Sequence, residues 1–314
     1  MRADDWLDPR WQASARDWIT STSAALGTPV TGEIEQTRVR PWSVTLLAPT
    51  SAGRRWFKAN TPECAYEARL VSALAGWIPD LVLAPLAVDA SRGWLLTADR
   101  GLTLRESLAT AGREERLRAW EEMLRAYASL QRTLVPHAAE MVSLGVPDMR
   151  PARLPGVLRS LLASPDVRPA RVVDEAEFAG WCAELAADGI PSSLQHDDLH
   201  DDNVFPGLRF FDWGDSAVAH PFGCLLVALQ SASFLLECSP PELLRLRDAY
   251  LSVWSDLAPP PALRRSAGLA CRVARVPKAA AWHRAVRDAA LPVEEDFRTA
   301  PAEYLDELGE PAPI

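Results

Sequence analysis

Six carboxylates crowd into one short stretch of this sequence, Leu194–Asp215. They are Asp197, Asp198, Asp201, Asp202, Asp212 and Asp215. Two like charges about 4 Å apart repel by about 4 kcal/mol at an effective dielectric near 20, and the apolar residues beside these acids favour a partly buried site that needs a cation. Oxygen ligands from Asp and Asn suit Mg²⁺, which usually keeps some waters and also binds substrate phosphates.

The spacing within this stretch predicts two short strands joined by a tight turn. Two apolar segments flank a turn signal: Val204-Phe205, Pro206-Gly207 and Phe210-Phe211. Asp198 and Asn203 then precede the first strand, and Asp212 follows the second. Asp198 can therefore face an incoming hydroxyl while Asn203 and Asp212 face a metal ion, which is the arrangement that phosphoryl transfer requires.

Two other metal sites fit the stretch less well. His196 and His200 have the spacing of a helical zinc pair, but the predicted loop and the lack of a third soft ligand nearby disfavour zinc. An EF-hand would need a glycine at its sixth position and a closing glutamate, and both are missing.

The order of these motifs resembles that of kinases. His196-Asp197-Asp198 followed by Asn203 resembles the H-x-D-x-x-x-x-N catalytic loop, and Asp212-Trp213-Gly214 resembles the D-F-G motif. Three further features make the stretch similar to the aminoglycoside phosphotransferase and choline kinase family: His200, Asp215 and His220-Pro221-Phe222. The resemblance covers most of the chain.

This resemblance implies an α+β, protein-kinase-like fold with two lobes. A small lobe with an N-terminal sheet would span residues 1–97, a hinge residues 98–101, and a larger, mainly helical lobe residues 102–314. It also implies ATP as the phosphate donor, Mg²⁺ as the cofactor and a small-molecule hydroxyl as the acceptor. Asp198 would take or orient the proton of the acceptor hydroxyl, His196 would brace the loop, and Asn203 and Asp212 would hold Mg²⁺.

The sequence departs from the family pattern at three points. Cys224 stands where the family usually has an aspartate that steadies the catalytic loop, so Asp215 or His220 would have to replace it. Asp197 stands where glycine is common. The eight residues between Asn203 and Asp212 make a tighter hairpin than is usual.

The first part of the chain predicts a helix and a small sheet. Asp8-Pro9 can cap a helix that ends before Gly27. Three strands follow, at Glu33–Arg40, Ser43–Ala48 and Arg55–Ala59. Lys58 ends the third strand, and Glu67 lies on a helix that starts at Thr61-Pro62. By the resemblance, Lys58 would bind the nucleotide's phosphates and Glu67 would orient it; we prefer Glu67 to Glu63 because it lies deeper in the predicted helix.

The nucleotide-covering loop and the hinge have weaker signals. Val39–Ser43 contains no glycine, and Ser43 either donates to a phosphate or is a plain turn residue. Two strands, Leu81–Val88 and Gly93–Thr97, lead to the hinge. Backbone groups of about Leu96 and Ala98 would meet the adenine there.

Helical periodicity dominates after Thr103. The predicted segments are a stripe from Leu117 to Leu130, Leu154–Leu162, Glu175–Ala187, Cys224–Leu236, Glu242–Trp254 and Ala262–Ala290. We expect the arginines of the last segment to form a solvated face. Glu294, Glu295 and Asp296 either meet a cationic substrate or are surface charges.

Composition limits the function classes. The 314 residues carry a formal net charge of −9, which disfavours nucleic acid as a partner and suits a cationic acceptor. The sequence shows no signal peptide or membrane span, and its five scattered cysteines predict reduced thiols, so we expect a cytoplasmic monomer or weak dimer.

The leading hypothesis is a kinase that phosphorylates a hydroxyl of a small molecule, and an aminoglycoside or another antibiotic is one candidate class of acceptor. The alternatives are a metabolite kinase for choline, homoserine or a sugar, and a catalytically silent nucleotide-binding regulator.

Overall fold

A computed structural model describes residues 6–287 and 293–311 of the chain. The chain divides into two compact units: Met1–Gly101 with Arg284–Arg298, and Leu102–His283 with Thr299–Ile314. An antiparallel sheet dominates the first unit and helices dominate the second, so the predicted α+β class is confirmed. The lobe and hinge boundaries expected from the sequence stay a prediction.

The first unit is built on a five-stranded antiparallel sheet with the order β1-β2-β3-β5-β4. The strands are β1 (Glu35–Val39), β2 (Ser43–Thr50), β3 (Gly53–Asn60), β4 (Ala87–Asp89) and β5 (Trp94–Ala98). Helix α1 (Pro9–Ala25) packs on this sheet through the buried residues Ala15 and Ile19. Asp8 caps the helix as predicted, because its carboxylate accepts from Arg10 N at 2.8 Å.

The predicted strand Leu81–Val88 is wrong over most of its length. Only Ala87–Asp89 is strand, and Pro85 lies two residues before it. Proline has no N–H to donate to a ladder, so the apolar run cannot pair as a continuous strand. Helix α2 (Tyr66–Trp77) likewise begins later than predicted, which places Glu67 in its first turn.

The second unit consists mainly of helices around small sheets. Its helices are α3 (Leu104–Ser107), α4 (Arg113–Leu134), α5 (Ala138–Ser143), α6 (Leu154–Ala163), α7 (Glu175–Ala187), α8 (Leu225–Leu235), α9 (Pro240–Leu251) and α10 (Pro260–Val273). Two further helices, α11 (Arg275–Val286) and α12 (Glu295–Asp306), each belong in part to the first unit. The predicted apolar stripe of α4, from Leu117 to Leu130, is buried. Short strands β6 (Asp148–Met149), β10 (Ala217–Ala219) and β7 (Ser193–Gln195) form one sheet in that order.

The predicted long helix Ala262–Ala290 is two helices. Helix α10 ends at Val273, Ala274 is its C-terminal cap, and α11 starts at Arg275. Pro277 therefore lies in the first turn of α11, where a missing N–H costs nothing. Ala290 lies outside the described residues. The prediction of a solvated arginine face is wrong for Arg275, which is only 4% exposed.

The cysteines agree with a further expectation. All five cysteines are free and buried, as predicted. No helix within residues 6–287 and 293–311 is both long enough and apolar enough to cross a bilayer.

Candidate active site

The acidic stretch forms a hairpin that brings Asn203 next to the residue before Asp212. Strands β8 (Val204–Phe205) and β9 (Arg209–Phe210) pair antiparallel, and Phe211 N donates to Asn203 O at 3.1 Å. The rings of Phe205 and Phe211 stack with centroids 4.5 Å apart. The short spacing between Asn203 and Asp212 is thus the length of one β-hairpin.

Asp198 is held by two side chains that follow it in the loop. Asn203 Nδ2 donates to the Asp198 backbone O at 2.8 Å and to its carboxylate Oδ2 at 3.0 Å. His200 Nε2 lies 3.3 Å from the same carboxylate oxygen, and His200 Nδ1 accepts from Asp202 N. With its amide nitrogen turned to Asp198, Asn203 keeps its carbonyl oxygen as the atom that can face a metal.

His196 joins the catalytic loop to the segment before Asp212. Its Nδ1 accepts from Asp198 N at 3.2 Å, and its Nε2 lies 2.9 Å from Phe211 O. These partners assign the neutral tautomer that carries its proton on Nε2. Burial lowers the pKa of His196, which agrees with a neutral ring. Its contacts suit the bracing role that the resemblance implies.

Asp198 is an anion in this setting. Burial of the carboxyl acts to raise its pKa, but the hydrogen bond from His200 and the positive charge of Lys278 outweigh that effect, so the pKa of Asp198 lies well below its ordinary value. Its side chain is still 40% exposed. An anionic carboxylate that solvent can reach is suited to accept a hydrogen bond from a bound hydroxyl and so to orient it.

Two of the six acids pair with one cation that the sequence analysis missed. Arg105 on α3 lies 2.9 Å from Asp201 Oδ1 and 3.3 Å from Asp202 Oδ2. Trp120 Nε1 donates to Asp201 at 3.2 Å, and Thr103 donates to Asp202 at 2.8 Å. Asp201 and Asp202 therefore have structural partners, and they are separate from the acids around Asp198.

The donor set fits Mg²⁺ better than a metal held by protein ligands alone. Over the described residues, no three His, Cys, Asp or Glu side chains come together as a metal site. Mg²⁺ needs only one or two carboxylates when substrate phosphates and water complete its shell. Asn203 and Asp212 supply oxygen donors of this kind, and their role as ligands stays a prediction.

A buried cation that the sequence analysis also missed reaches the catalytic loop from α11. Lys278 is 4% exposed, and its Nζ donates to the backbone O of Asp197 at 2.7 Å. Its position inside a stretch that looks basic and helical gave no signal, because a lone lysine there is usually solvated.

The loop is steadied without the family's aspartate at position 224. Cys224 is buried, and burial raises the pKa of its thiol, so it is neutral. Tyr127 OH donates to Leu194 O at 3.0 Å and accepts from His196 N at 2.8 Å, while Gln131 Nε2 donates to Leu194 O at 2.8 Å. Residues of α4 therefore hold the backbone that leads into the loop.

His220 does not take over the role of that aspartate. Its Nε2 bonds to Asp188 at 3.0 Å, and its Nδ1 accepts from Phe222 N. The suggestion that His220 steadies the loop in place of Cys224 is therefore wrong, because one ring nitrogen bonds to Asp188 at the end of α7 and the other to the turn at Pro221–Cys224.

In the first unit, Lys58 and Glu67 lie side by side. Lys58 Nζ is 2.7 Å from Glu67 Oε2, and Glu67 is only 1% exposed. Asn60 Nδ2 donates to the same carboxylate oxygen at 2.6 Å. Strand β3 and helix α2 thus provide the lysine and glutamate that the resemblance implies, and their contact with a nucleotide stays a prediction.

The loop between β1 and β2 is stabilised by side chains in place of glycines. Trp42 packs edge to face on Phe297, with ring centroids 5.3 Å apart. Arg40 lies 3.4 Å from Glu294 and over the Phe297 ring. Ser43 begins β2 and is buried, opposite Asn60. A phosphate contact by Ser43 stays a prediction.

The end of β5 has one backbone position suited to a base. Asp99 N donates to Arg54 O on the β3 side, so the N–H and C=O of Ala98 point away from β3. Strand β4 pairs with β5 only up to Leu96, and Leu96 O accepts from Leu86 N at 2.7 Å. Of the two predicted hinge contacts, Ala98 has the more suitable geometry.

Comparisons with known proteins show the family of this chain and its fold. A family model described as the phosphotransferase enzyme family matches residues 50–260. A comparison with curated protein sequences found no match.

Three solved structures show the fold. A macrolide 2'-phosphotransferase type I is 15% identical over 92% of this chain and 96% of its own, with a TM-score of 0.59. A macrolide 2'-phosphotransferase from Brachybacterium faecium is 18% identical over 92% and 98%, with a TM-score of 0.55. A choline/ethanolamine kinase family protein from Mesorhizobium loti is 19% identical over 95% of both chains, with a TM-score of 0.56. The predicted protein-kinase-like fold is confirmed.

Proposed function

This chain belongs to the phosphotransferase enzyme family, and from that premise we propose that it transfers the γ-phosphoryl group of ATP to a hydroxyl of a small molecule, with Mg²⁺ as cofactor. One observation carries the proposal. Asp198, held anionic by His200 and Asn203, lies in a loop that His196 joins to the backbone just before Asp212. The loop and the hairpin that follows it thus carry a proton acceptor, Asp198, and two residues with oxygen ligands for a metal, Asn203 and Asp212.

The reaction assigns each group one task. Asp198 accepts the hydrogen bond of the acceptor hydroxyl and takes its proton. The acceptor oxygen forms its bond to the γ-phosphorus as the bond to the leaving ADP oxygen breaks. His196, neutral and buried, keeps the loop in place and exchanges no proton.

The carbonyl oxygen of Asn203 and the carboxylate of Asp212 would hold Mg²⁺. Bound there, the ion supplies charge neutralisation for the triphosphate, which these acids would otherwise repel. Lys58, oriented by Glu67, would bind the nucleotide's phosphates, and the backbone of Ala98 would meet the adenine.

We propose an antibiotic as the acceptor and an amino alcohol or sugar as the alternative. The fold is shared with macrolide phosphotransferases and with a choline/ethanolamine kinase family protein, so both acceptor classes belong in the test. A net charge of −9 favours cationic members of either class.

The test is a phosphate-transfer screen by mass spectrometry with ATP and Mg²⁺. The acceptors are macrolides, aminoglycosides, choline, ethanolamine, homoserine and simple sugars. Asp198→Asn should lower kcat by about 10²–10⁴-fold, the usual worth of general-base help, while nucleotide affinity is kept. Asp202→Asn is the matched control, because Asp202 is a 43% exposed acid of the same loop and bonds to Thr103 and Arg105.

Two outcomes would contradict the proposal. Full turnover in Asp198→Asn would show that Asp198 is not the proton acceptor. Nucleotide binding without transfer to any acceptor would favour the silent regulator instead.

A further inference from the structure

Lys278 lies in a place where a lysine is costly. It is on α11, 4% exposed, with its Nζ 5.5 Å from the centroid of the Trp282 ring. Burying an ammonium group away from water costs several kcal/mol unless it is paired and hydrogen-bonded. Its bond to Asp197 O at 2.7 Å is therefore a specific contact that the fold maintains.

That contact clamps one particular peptide unit. The carbonyl of Asp197 and the N–H of Asp198 belong to the same planar group. Lys278 holds the oxygen at 2.7 Å, and His196 Nδ1 holds the N–H at 3.2 Å. Because both polar ends of the plane are fixed, the backbone direction at which the Asp198 side chain leaves the loop is fixed as well.

We propose that Lys278 is a positioning residue of the phosphoryl-transfer reaction, which sets the orientation of Asp198 by clamping the Asp197–Asp198 peptide. The inference rests on the proposed function, since it assigns a role toward that function's proton acceptor. Lys278 acts through the loop, and its ammonium group is bound to protein.

The unusual residue at position 197 explains the need for a buried cation. Asp197 is 3% exposed, and Gln195 donates to its carboxylate. A carboxylate buried here adds to the negative charge of Asp198, and the single positive charge of Lys278 offsets part of the sum. Burial acts to lower the pKa of Lys278, but Asp198 and Asp215 outweigh it and raise that pKa, so the lysine is charged.

The experiment compares Lys278→Met with Arg275→Met. Arg275 is also 4% exposed and lies on the same helix, but its partners are Glu307 and the backbone of Glu310 and Pro311. Lys278→Met should lower kcat by about 100-fold, the loss typical of a misplaced catalytic group, and leave KM for ATP within about twofold. Arg275→Met should leave kcat within about threefold, whatever it does to the melting temperature.

Amide hydrogen exchange gives a readout that needs no acceptor. In Lys278→Met the amide of Asp198 should exchange faster than in the wild type, and in Arg275→Met it should not. Failure of the wild type to phosphorylate anything would sink the proposed function, while this exchange difference would still decide whether Lys278 clamps the loop.

A double variant covers the case in which Lys278→Met does not fold. Asp197→Gly with Lys278→Met removes one buried negative charge together with the buried cation, so the summed charge around Asp198 is the same as in the wild type. The carbonyl at 197 is still unclamped, and kcat should stay about 100-fold below the wild type. Wild-type kcat in either variant, or an equal loss of kcat in Arg275→Met, overturns the proposal.

Discussion

At the scale of single residues, Asp212 has an unusual backbone conformation. Its φ and ψ are both 62°, in the left-handed region that non-glycine residues seldom adopt. This conformation costs about 1–2 kcal/mol for most residues, and less for Asp and Asn. Such strain persists where the surrounding structure imposes it, and here it lies at the residue that follows the hairpin.

The first prediction separates the charge of Asp212 from its conformation. Asp212→Asn tolerates the left-handed region but removes the charge, so Mg²⁺ with ADP should no longer stabilise the protein. In the wild type, ligand at 100 times its Kd should raise the free energy of unfolding by about 2.7 kcal/mol. Asp212→Ala should lose the same ligand effect. Without ligand, its free energy of unfolding should also be lower than that of the wild type by about 1 kcal/mol.

Urea denaturation with and without Mg²⁺ and ADP measures both quantities. A ligand effect retained in Asp212→Asn would show that the carboxylate charge is not needed for binding.

At the scale of elements, the turn at Pro221–Cys224 lies against β7 with no room to spare. A Cβ at Gly223 would overlap Gln195 Oε1 and would lie 3.2 Å from the Cβ of Ala274. Gln195 is 1% exposed and its amide donates to the Asp197 carboxylate. The absence of a side chain at Gly223 thus lets Gln195 reach the loop.

The second prediction follows from this close approach. Gly223→Ala should lower the free energy of unfolding by about 1–3 kcal/mol, the usual cost of overpacking a core. Combined with Gln195→Ala, its effect should be smaller by at least about 0.5 kcal/mol, because the two residues compete for one space. Denaturant melts of the single and double variants measure this coupling.

Gly180→Ala is the control for this prediction. Gly180 lies inside α7 with nothing within 4 Å of an added Cβ, so alanine there should raise the free energy of unfolding by about 0.5–1 kcal/mol. Additive effects of Gly223→Ala and Gln195→Ala would contradict the overlap.

At the scale of the whole molecule, the dominant property is a net charge of −9. Surface charge of one sign raises the rate at which oppositely charged small molecules arrive. The screening length falls from about 10 Å at 0.1 M salt to about 3 Å at 1 M, so this attraction is lost at high salt.

The third prediction concerns the acceptor. For a cationic acceptor, kcat/KM should fall severalfold between 0.1 M and 1 M NaCl, while kcat changes little. A neutral acceptor from the same screen is the control and should show a change of less than about twofold. A cationic acceptor whose kcat/KM does not respond to salt would show that the net charge plays no part in its capture.

The sequence by itself determined the local parts of this protein. The hairpin, with Asp198 and Asn203 before it and Asp212 after it, follows from a turn signal between two apolar segments. The α4 stripe and the cap at Asp8 follow from helical periodicity and capping chemistry. In each case the interacting groups are a few residues apart, and the spacing of residue types reports such contacts directly.

Only the tertiary structure decided what surrounds Asp198. Lys278 reaches Asp197 across 81 residues, and Arg105 reaches Asp201 across 96. Sequence spacing carries no signal for contacts of this length, because any cation on an amphipathic helix fits a solvated face equally well. Burial changes the meaning of such residues: Arg275 and Lys278 look like surface charges in sequence, and the packing of α11 turns them inward.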